Sequence, residues 1–108
     1  WAVTEKGSGR FLGDVGFADL KRDMSPSFGG LPECGWALQP LAQGLGHATE
    51  AVRAACAWLD RAMPGTASVC MISPENAPSL RVAAKCGFEA YARTTFREAP
   101  IQLFRRGV

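Results

Sequence analysis

Between Gln43 and Ala48 the sequence reads Gln-Gly-Leu-Gly-His-Ala, two glycines one residue apart, set between a short apolar stretch and a long amphipathic one. Glycines there have a physical use. Without side chains the backbone can pass close to a phosphate, and the first amides of a following helix point at the anion along the positive end of the helix dipole. A Gly-x-Gly pair also serves simply to join a strand to a helix, so its surroundings decide. No Gly-Lys-Ser/Thr is present, which argues against a nucleotide triphosphatase, and Thr49 stands where a dinucleotide fold needs its third glycine. The other reactive side chains are sparse. His47 is the only histidine, and the four cysteines, Cys34, Cys56, Cys70 and Cys86, form no CxxC pair, so the spacing of a zinc site is absent and no metal is expected. Reduced, mostly buried thiols of a cytoplasmic protein are the expectation.

The elements that must position the loop follow from periodicity. Trp1–Glu5 and Arg10–Phe17 alternate about Lys6-Gly-Ser-Gly9 and read as a hairpin. The stretch from Leu20 to Pro32 gathers charges, glycines and prolines without a period and reads as a surface loop. Glu33 to Leu38 reads as a third strand. From Gly46 the period becomes helical, with Ala48, Val52, Ala55, Leu59 and Ala62 on one face, and Pro64-Gly65 stops it. Thr66 to Ile72 is a nearly unbroken apolar run, as in a strand buried on both faces. Strand, helix and strand make a βαβ unit, with a right-handed crossover and the helix N-terminus at the carboxyl end of the first strand.

A second helix is expected to start at Asn76 as N-cap, with Pro78 in its first turn and Leu80, Ala83 and Ala84 facing inward. Gly87 caps its end in the left-handed conformation and Phe88 folds back as the hydrophobic partner. Ala90–Phe96 and Ile101–Arg106 then alternate as an antiparallel hairpin about a turn containing Pro100. Trp36 and Trp58 are expected in the core.

The whole chain, 1–108, reads as a single domain. It carries 12 Lys plus Arg against 10 Asp plus Glu with no basic run, so nucleic acid is not an indicated partner. No stretch reaches the roughly 20 apolar residues of a membrane helix, and Trp1 to Leu20 lacks the apolar core of a signal peptide. A strand that begins at Trp1 without a polar lead-in is expected to lack preceding elements that would cover it. Such a chain should expose apolar surface at the first hairpin and form a homodimer through edge strands, or hold the covering segment on another polypeptide.

With nucleotide triphosphates and dinucleotides disfavoured, coenzyme A remains as the phosphate ligand suited to the loop. Three stretches then carry a family resemblance over nearly the whole chain. Glu33-Cys-Gly-Trp-Ala-Leu38, Gln43-Gly-Leu-Gly-His-Ala-Thr-Glu-Ala51, and Asn76-Ala-Pro-Ser79 through Lys85-Cys-Gly-Phe88 resemble, in this order, the fourth strand, the pyrophosphate loop with its helix, and motif B of GNAT acetyltransferases of the ribosomal-protein and small-molecule branch. Leu41 stands where the family pattern has Gln or Arg. The resemblance implies an α/β fold with a mixed sheet and a central βαβ unit, lacking the family's first strand and helices. It also implies a V-shaped opening between strands Glu33–Leu38 and Thr66–Ile72, with acetyl-CoA as cosubstrate. Main-chain groups near Ala37 and Leu38 would pair with the pantetheine arm, the amides of Gln43, Gly44, Leu45, Gly46, His47 and Ala48 would hold the pyrophosphate, and Asn76 would hydrogen-bond the arm.

The reaction implied is direct transfer of acetyl to a primary amine, a protein N-terminus or a small molecule, in a ternary complex. That needs a carboxylate base and a hydroxyl acid. The tyrosine many relatives use as acid is Ala83 here, whereas Ser79 matches the serine of Asn-x-x-Ser, the proposed acid of the ribosomal-protein branch. It also reads as an ordinary first-turn serine. Glu33 matches a base on the fourth strand of some members, and Glu98 a later position used by others. Glu33 is favoured, because Glu98 must reach in from a turn. Cys34 reads as a buried strand cysteine rather than a nucleophile, and His47 as a residue of the helix start. The alternative is a coenzyme-A-binding module without catalysis. An interaction domain keeping only the fold would leave the loop glycines without a ligand to approach.

Overall fold

The computed structural model describes residues 1–19, 22, 24–44 and 46–107. Strand β1 (Ala2–Thr4) pairs antiparallel with β2 (Phe11–Ala18), Val3 opposite Gly13, with a bulge between Val3 and Thr4. Strand β3 (Glu33–Leu38) continues the sheet antiparallel to β2, with Cys34 opposite Phe17. A 3-10 turn at Pro40–Ala42 leads to helix α1 (His47–Ala62), which returns the chain to β4 (Ser68–Ile72), parallel to β3. Helix α2 (Ala77–Lys85) and the hairpin of β5 (Glu89–Phe96) and β6 (Ala99–Arg106) complete a six-stranded mixed sheet in the order β1-β2-β3-β4-β6-β5. The expected βαβ unit is therefore present at the centre of the sheet.

Both helices share one core with one face of the sheet. Val52, Ala55 and Cys56 of α1 and Val82 and Ala83 of α2 meet Val15, Cys34, Cys70, Ile72 and Phe104 from the strands. All four cysteines are reduced and buried. Because strand side chains alternate, Glu33, Gly35 and Ala37 belong to the opposite face from Cys34 and Trp36. The end of α2 follows the expected geometry closely. Gly87 has φ +88, its N–H donates to the Ala84 carbonyl at 3.3 Å, the Phe88 N–H donates to Ala83 at 3.0 Å, and the Phe88 side chain is buried. Those two bonds make a Schellman cap with its hydrophobic partner.

Several local expectations need correction. Val82, not Ala84, is the inward residue beside Ala83 on α2, and Ala84 is exposed. The stripe of α1 gains Cys56 and runs out at the last turn, where Ala62 is exposed. Trp36 packs half-buried against Phe88, ring centroids 6.3 Å apart, but Trp58 is 43% exposed on the flank of α1 and meets Trp1 edge-on at 5.0 Å. The β5–β6 turn does not contain Pro100. It consists of Arg97 and Glu98, at φ 50 and 66, the two positive values that a tight hairpin turn with native twist requires. Pro100 sits one residue inside β6 opposite Thr95, beyond the stretch of β6 that pairs with β4. Its missing N–H therefore costs the ladder with β4 nothing.

Candidate functional site

The parallel pair β3 and β4 is joined at one register position among the described residues, Glu33 opposite Val69, with the Val69 N–H donating to the Pro32 carbonyl at 3.0 Å. Beyond that point the strands separate toward their carboxyl ends. A cleft of about 470 Å³ adjoins the carboxyl end of β3, lined by Trp36, Ala37 and Leu38 of that strand, by the loop residues Gln43, Gly44 and Gly46, and by the start of α1 at Ala48 and Thr49. Across it stand Asn76, Pro78, Ser79 and Val82, with Arg81 and Lys85 adding positive charge.

Gly44 and Gly46 both have φ +80, and Gly46 is the N-cap of α1. That conformation is one L side chains rarely adopt, and a Cβ built at either glycine meets nothing within 4 Å. The glycines are thus required by backbone conformation and leave open space above the loop. The Glu50 N–H closes the first helical bond onto the Gly46 carbonyl at 3.1 Å, so the amides of His47, Ala48 and Thr49 are the ones an α-helix leaves without intrahelical partners. The Gln43 side chain donates from Nε2 to the Leu38 carbonyl at 3.2 Å, tying the loop to the end of β3. Asn76 caps α2 by accepting the Ser79 N–H on Oδ1 at 3.2 Å, which fixes both residues at the cleft wall.

Of the residues expected to hold the coenzyme, Ala37, Leu38, Gln43, Gly44, Gly46, Ala48, Asn76 and Ser79 all line this one cleft. Leu45 lies outside the described residues. His47 opens α1, but it lines a different groove of about 870 Å³ between β1 and α1, together with Trp1, Val3, Val15 and Trp58. Arg81 and Lys85 escaped the sequence reading, although their spacing of four on α2 was the available signal, since residues i and i+4 share a helix face.

The candidate acid and bases are not gathered. Ser79 is in the cleft, while Glu33 sits at its closed end on β3, is 8% exposed, and lines a depression of about 350 Å³ formed with Arg22, Phe28 and Leu31. Both carboxylate oxygens of Glu33 accept from Arg22, Nε at 2.7 Å and Nη2 at 3.0 Å. Glu98 is exposed at the tip of the β5–β6 turn, apart from both. Cys34 is 3% exposed, and its hydrogen bond with Cys56 together with burial pushes its thiol well above the ordinary cysteine range. A neutral thiol is a poor nucleophile. No helix among the described residues is long and apolar enough to cross a membrane.

Comparison with known proteins agrees with this fold. A family model described as the acetyltransferase (GNAT) domain matches residues 1–89. Among solved structures, a protein of Bordetella pertussis assigned to the GNAT acetyltransferases superposes with a TM-score of 0.90 at 35% identity, covering 98% of this chain and 64% of that one. The ribosomal-protein-S5-alanine acetyltransferase of Vibrio fischeri superposes with a TM-score of 0.75 at 20% identity, covering 96% of this chain and 58% of that one. A Salmonella typhimurium protein assigned as an acetyltransferase and solved with its cofactor acetyl-CoA gives 0.74 at 21% identity, covering 92% and 59%. No curated protein matches the chain. The chain therefore spans less than two thirds of the length of these relatives, and over that span its sequence and fold make it a member of the GNAT acetyltransferase family.

Proposed function

We propose that this chain is one domain that binds acetyl-CoA and serves transfer of the acetyl group to a primary amine, a protein N-terminus or a small molecule, by direct attack within a ternary complex. The observation that carries this reading is the V of β3 and β4, joined at Glu33 and Val69 and open toward the glycine loop. The residues present fit the coenzyme. Gly44 and Gly46 leave a cradle that side chains would fill, the first amides of α1 face an anion with the helix dipole behind them, and Arg81 and Lys85 supply countercharge at the rim. The exposed edge of β3 offers the main-chain groups of Leu38 to an extended arm, although its carbonyl must first release Gln43, whereas the N–H and C=O of Ala37 turn toward Asp14 of β2. The Salmonella relative's bound acetyl-CoA supports the same choice.

When bound, acetyl-CoA supplies a thioester as the acetyl donor. Glu33, at the closed end of the V, takes the proton from the attacking amine, directly or through one water, using a lone pair that Arg22 leaves open. Ser79 returns a proton to the departing thiolate. Expected on this reading is a rise in melting temperature with acetyl-CoA, because a ligand bound only by the folded state adds about 2.7 kcal/mol at a hundredfold excess over Kd. The same preparation should acetylate members of an amine panel. No thermal response at millimolar acetyl-CoA would remove the coenzyme assignment; a response without transfer would leave a binding module.

We also propose that the chain works in the cytoplasm as a homodimer paired through its first hairpin. Strand β1 is an edge of the sheet, and Trp1, Phe11 and Trp58 are 56%, 50% and 43% exposed around it. An exposed edge with an apolar flank favours pairing with a second copy. Light scattering should give a dimer mass at high concentration, and a monodisperse monomer would count against this arrangement.

A further inference from the structure

Glu33 is not held by its own strand. Its carboxylate is gripped at both oxygens by Arg22, 11 positions earlier and between β2 and β3, and both side chains are largely shielded, 20% and 9% exposed. The same guanidinium lies over the ring of Phe96, 5.1 Å from its centroid, at the end of β5. Arg97 approaches that ring as well, at 5.0 Å. A second bond joins the same two segments independently, since Thr94 Oγ1 of β5 donates to the Ser25 carbonyl at 2.6 Å. Three parts of the chain thus meet at one cation: Arg22 after β2, the first residue of β3, and the distant end of β5.

We infer that Arg22 is a positioning residue, a clamp that fixes the Glu33 carboxylate at the closed end of the β3/β4 opening and fastens the 24–32 segment to the end of β5. Arginine suits both contacts at once, because its planar fork meets a carboxylate through two bonds while its face stays free to lie on an aromatic ring. Lysine offers one point charge and no such plane. Glu33 is nearly buried, so loss of Arg22 leaves a carboxylate with neither water nor partner, and the segment that held the cation loses its anchor at the same time. The role of Glu33 as base rests on the acetyltransferase reading. The clamp itself does not, and the two are tested by different measurements.

The experiment compares Arg22→Ala, Arg22→Lys, Phe96→Leu and Glu33→Gln by amide hydrogen exchange in the whole chain, with acetyl transfer and acetyl-CoA affinity measured on the same samples. In Arg22→Ala, exchange should rise about tenfold or more in both the 24–32 segment and the end of β5, while the middle of α1 keeps its protection. Arg22→Lys should recover part of the protection near Glu33 and little of it at β5, and Phe96→Leu should loosen β5 with the smaller effect on β3. Where transfer is measurable, Arg22→Ala should lower kcat with the acetyl-CoA affinity unchanged, and should add little further loss in the Glu33→Gln background. Unchanged exchange in either segment of Arg22→Ala overturns the clamp. A full additional loss of rate on top of Glu33→Gln overturns its action through Glu33. Should Arg22→Ala fail to fold, Arg22→Lys and Phe96→Leu decide by the same exchange pattern. Absence of transfer in the unsubstituted chain, with the exchange pattern as described, removes the acetyltransferase reading and leaves the clamp standing.

Discussion

Gly44→Val is expected to suppress the melting-temperature response to acetyl-CoA and to weaken binding by about fivefold to a hundredfold, while the protein itself still folds. Two observations set the sign and size. Gly44 has φ +80, where a β-branched residue costs about 1–3 kcal/mol, so the valine chain relaxes by turning the backbone away and re-aiming the loop amides. Each 1.4 kcal/mol lost in binding is a factor of about ten. Folding survives because a Cβ at this position meets nothing within 4 Å, so the change strains the loop without a clash in the core. Calorimetric titration together with thermal unfolding checks both halves. Unaltered affinity in a folded Gly44→Val protein would show that the loop amides do not carry the phosphate.

The second large effect is on chemistry. Glu33→Gln should lower kcat about a hundredfold to ten-thousandfold, the ordinary cost of removing a general base, with the affinity for acetyl-CoA almost unaffected. Glutamine keeps one oxygen for Arg22 but turns an N–H donor toward the guanidinium, so a thermal melt must accompany the kinetics. Ser79→Ala should slow transfer by a smaller factor, since water also reprotonates a thiolate. Glu98→Gln should leave the rate as it is, given its exposed place at a hairpin tip. The opposite result, activity kept by Glu33→Gln and lost by Glu98→Gln, would move the base to the hairpin. Ping-pong kinetics would bring back Cys34 despite its buried, neutral thiol.

The parts of this molecule that the sequence announced are those built from short-range rules. The helical period after Gly46, the strand from Glu33 to Leu38 and the Gly87 cap each depend on residues within about one turn or one strand of each other, and all three stand where they were expected. The cleft was legible for the same reason, because its walls are the end of β3, the glycine loop with the start of α1, and one side of α2. What escaped was long-range or chemically unmarked. Arg97-Glu98 carries none of the Asn, Asp or Gly that usually signals a two-residue turn, and Pro100 drew the turn toward itself although a strand end tolerates proline. The Arg22–Glu33 pair joins a strand to a segment without periodicity, where no pattern fixes which charge meets which. Trp58, expected in the core, instead meets another exposed tryptophan, Trp1.

Among the described residues, the one register contact between β3 and β4 also divides the sheet into two three-stranded ribbons, β1-β2-β3 and β4-β6-β5, stitched at Glu33 and Val69 and otherwise bridged by the helices on one face. A sheet built this way has four borders instead of two. Its inner pair, along the diverging halves of β3 and β4, carries amides and carbonyls without a neighbouring strand, the kind of template on which a foreign strand can grow. On the proposed function, an extended ligand lodged in the gap would act as a seam along these inner borders. Shelf life and resistance to fibre formation should then follow occupancy of the gap rather than the quality of the hydrophobic core, with the empty protein the more prone to clump at equal melting temperature.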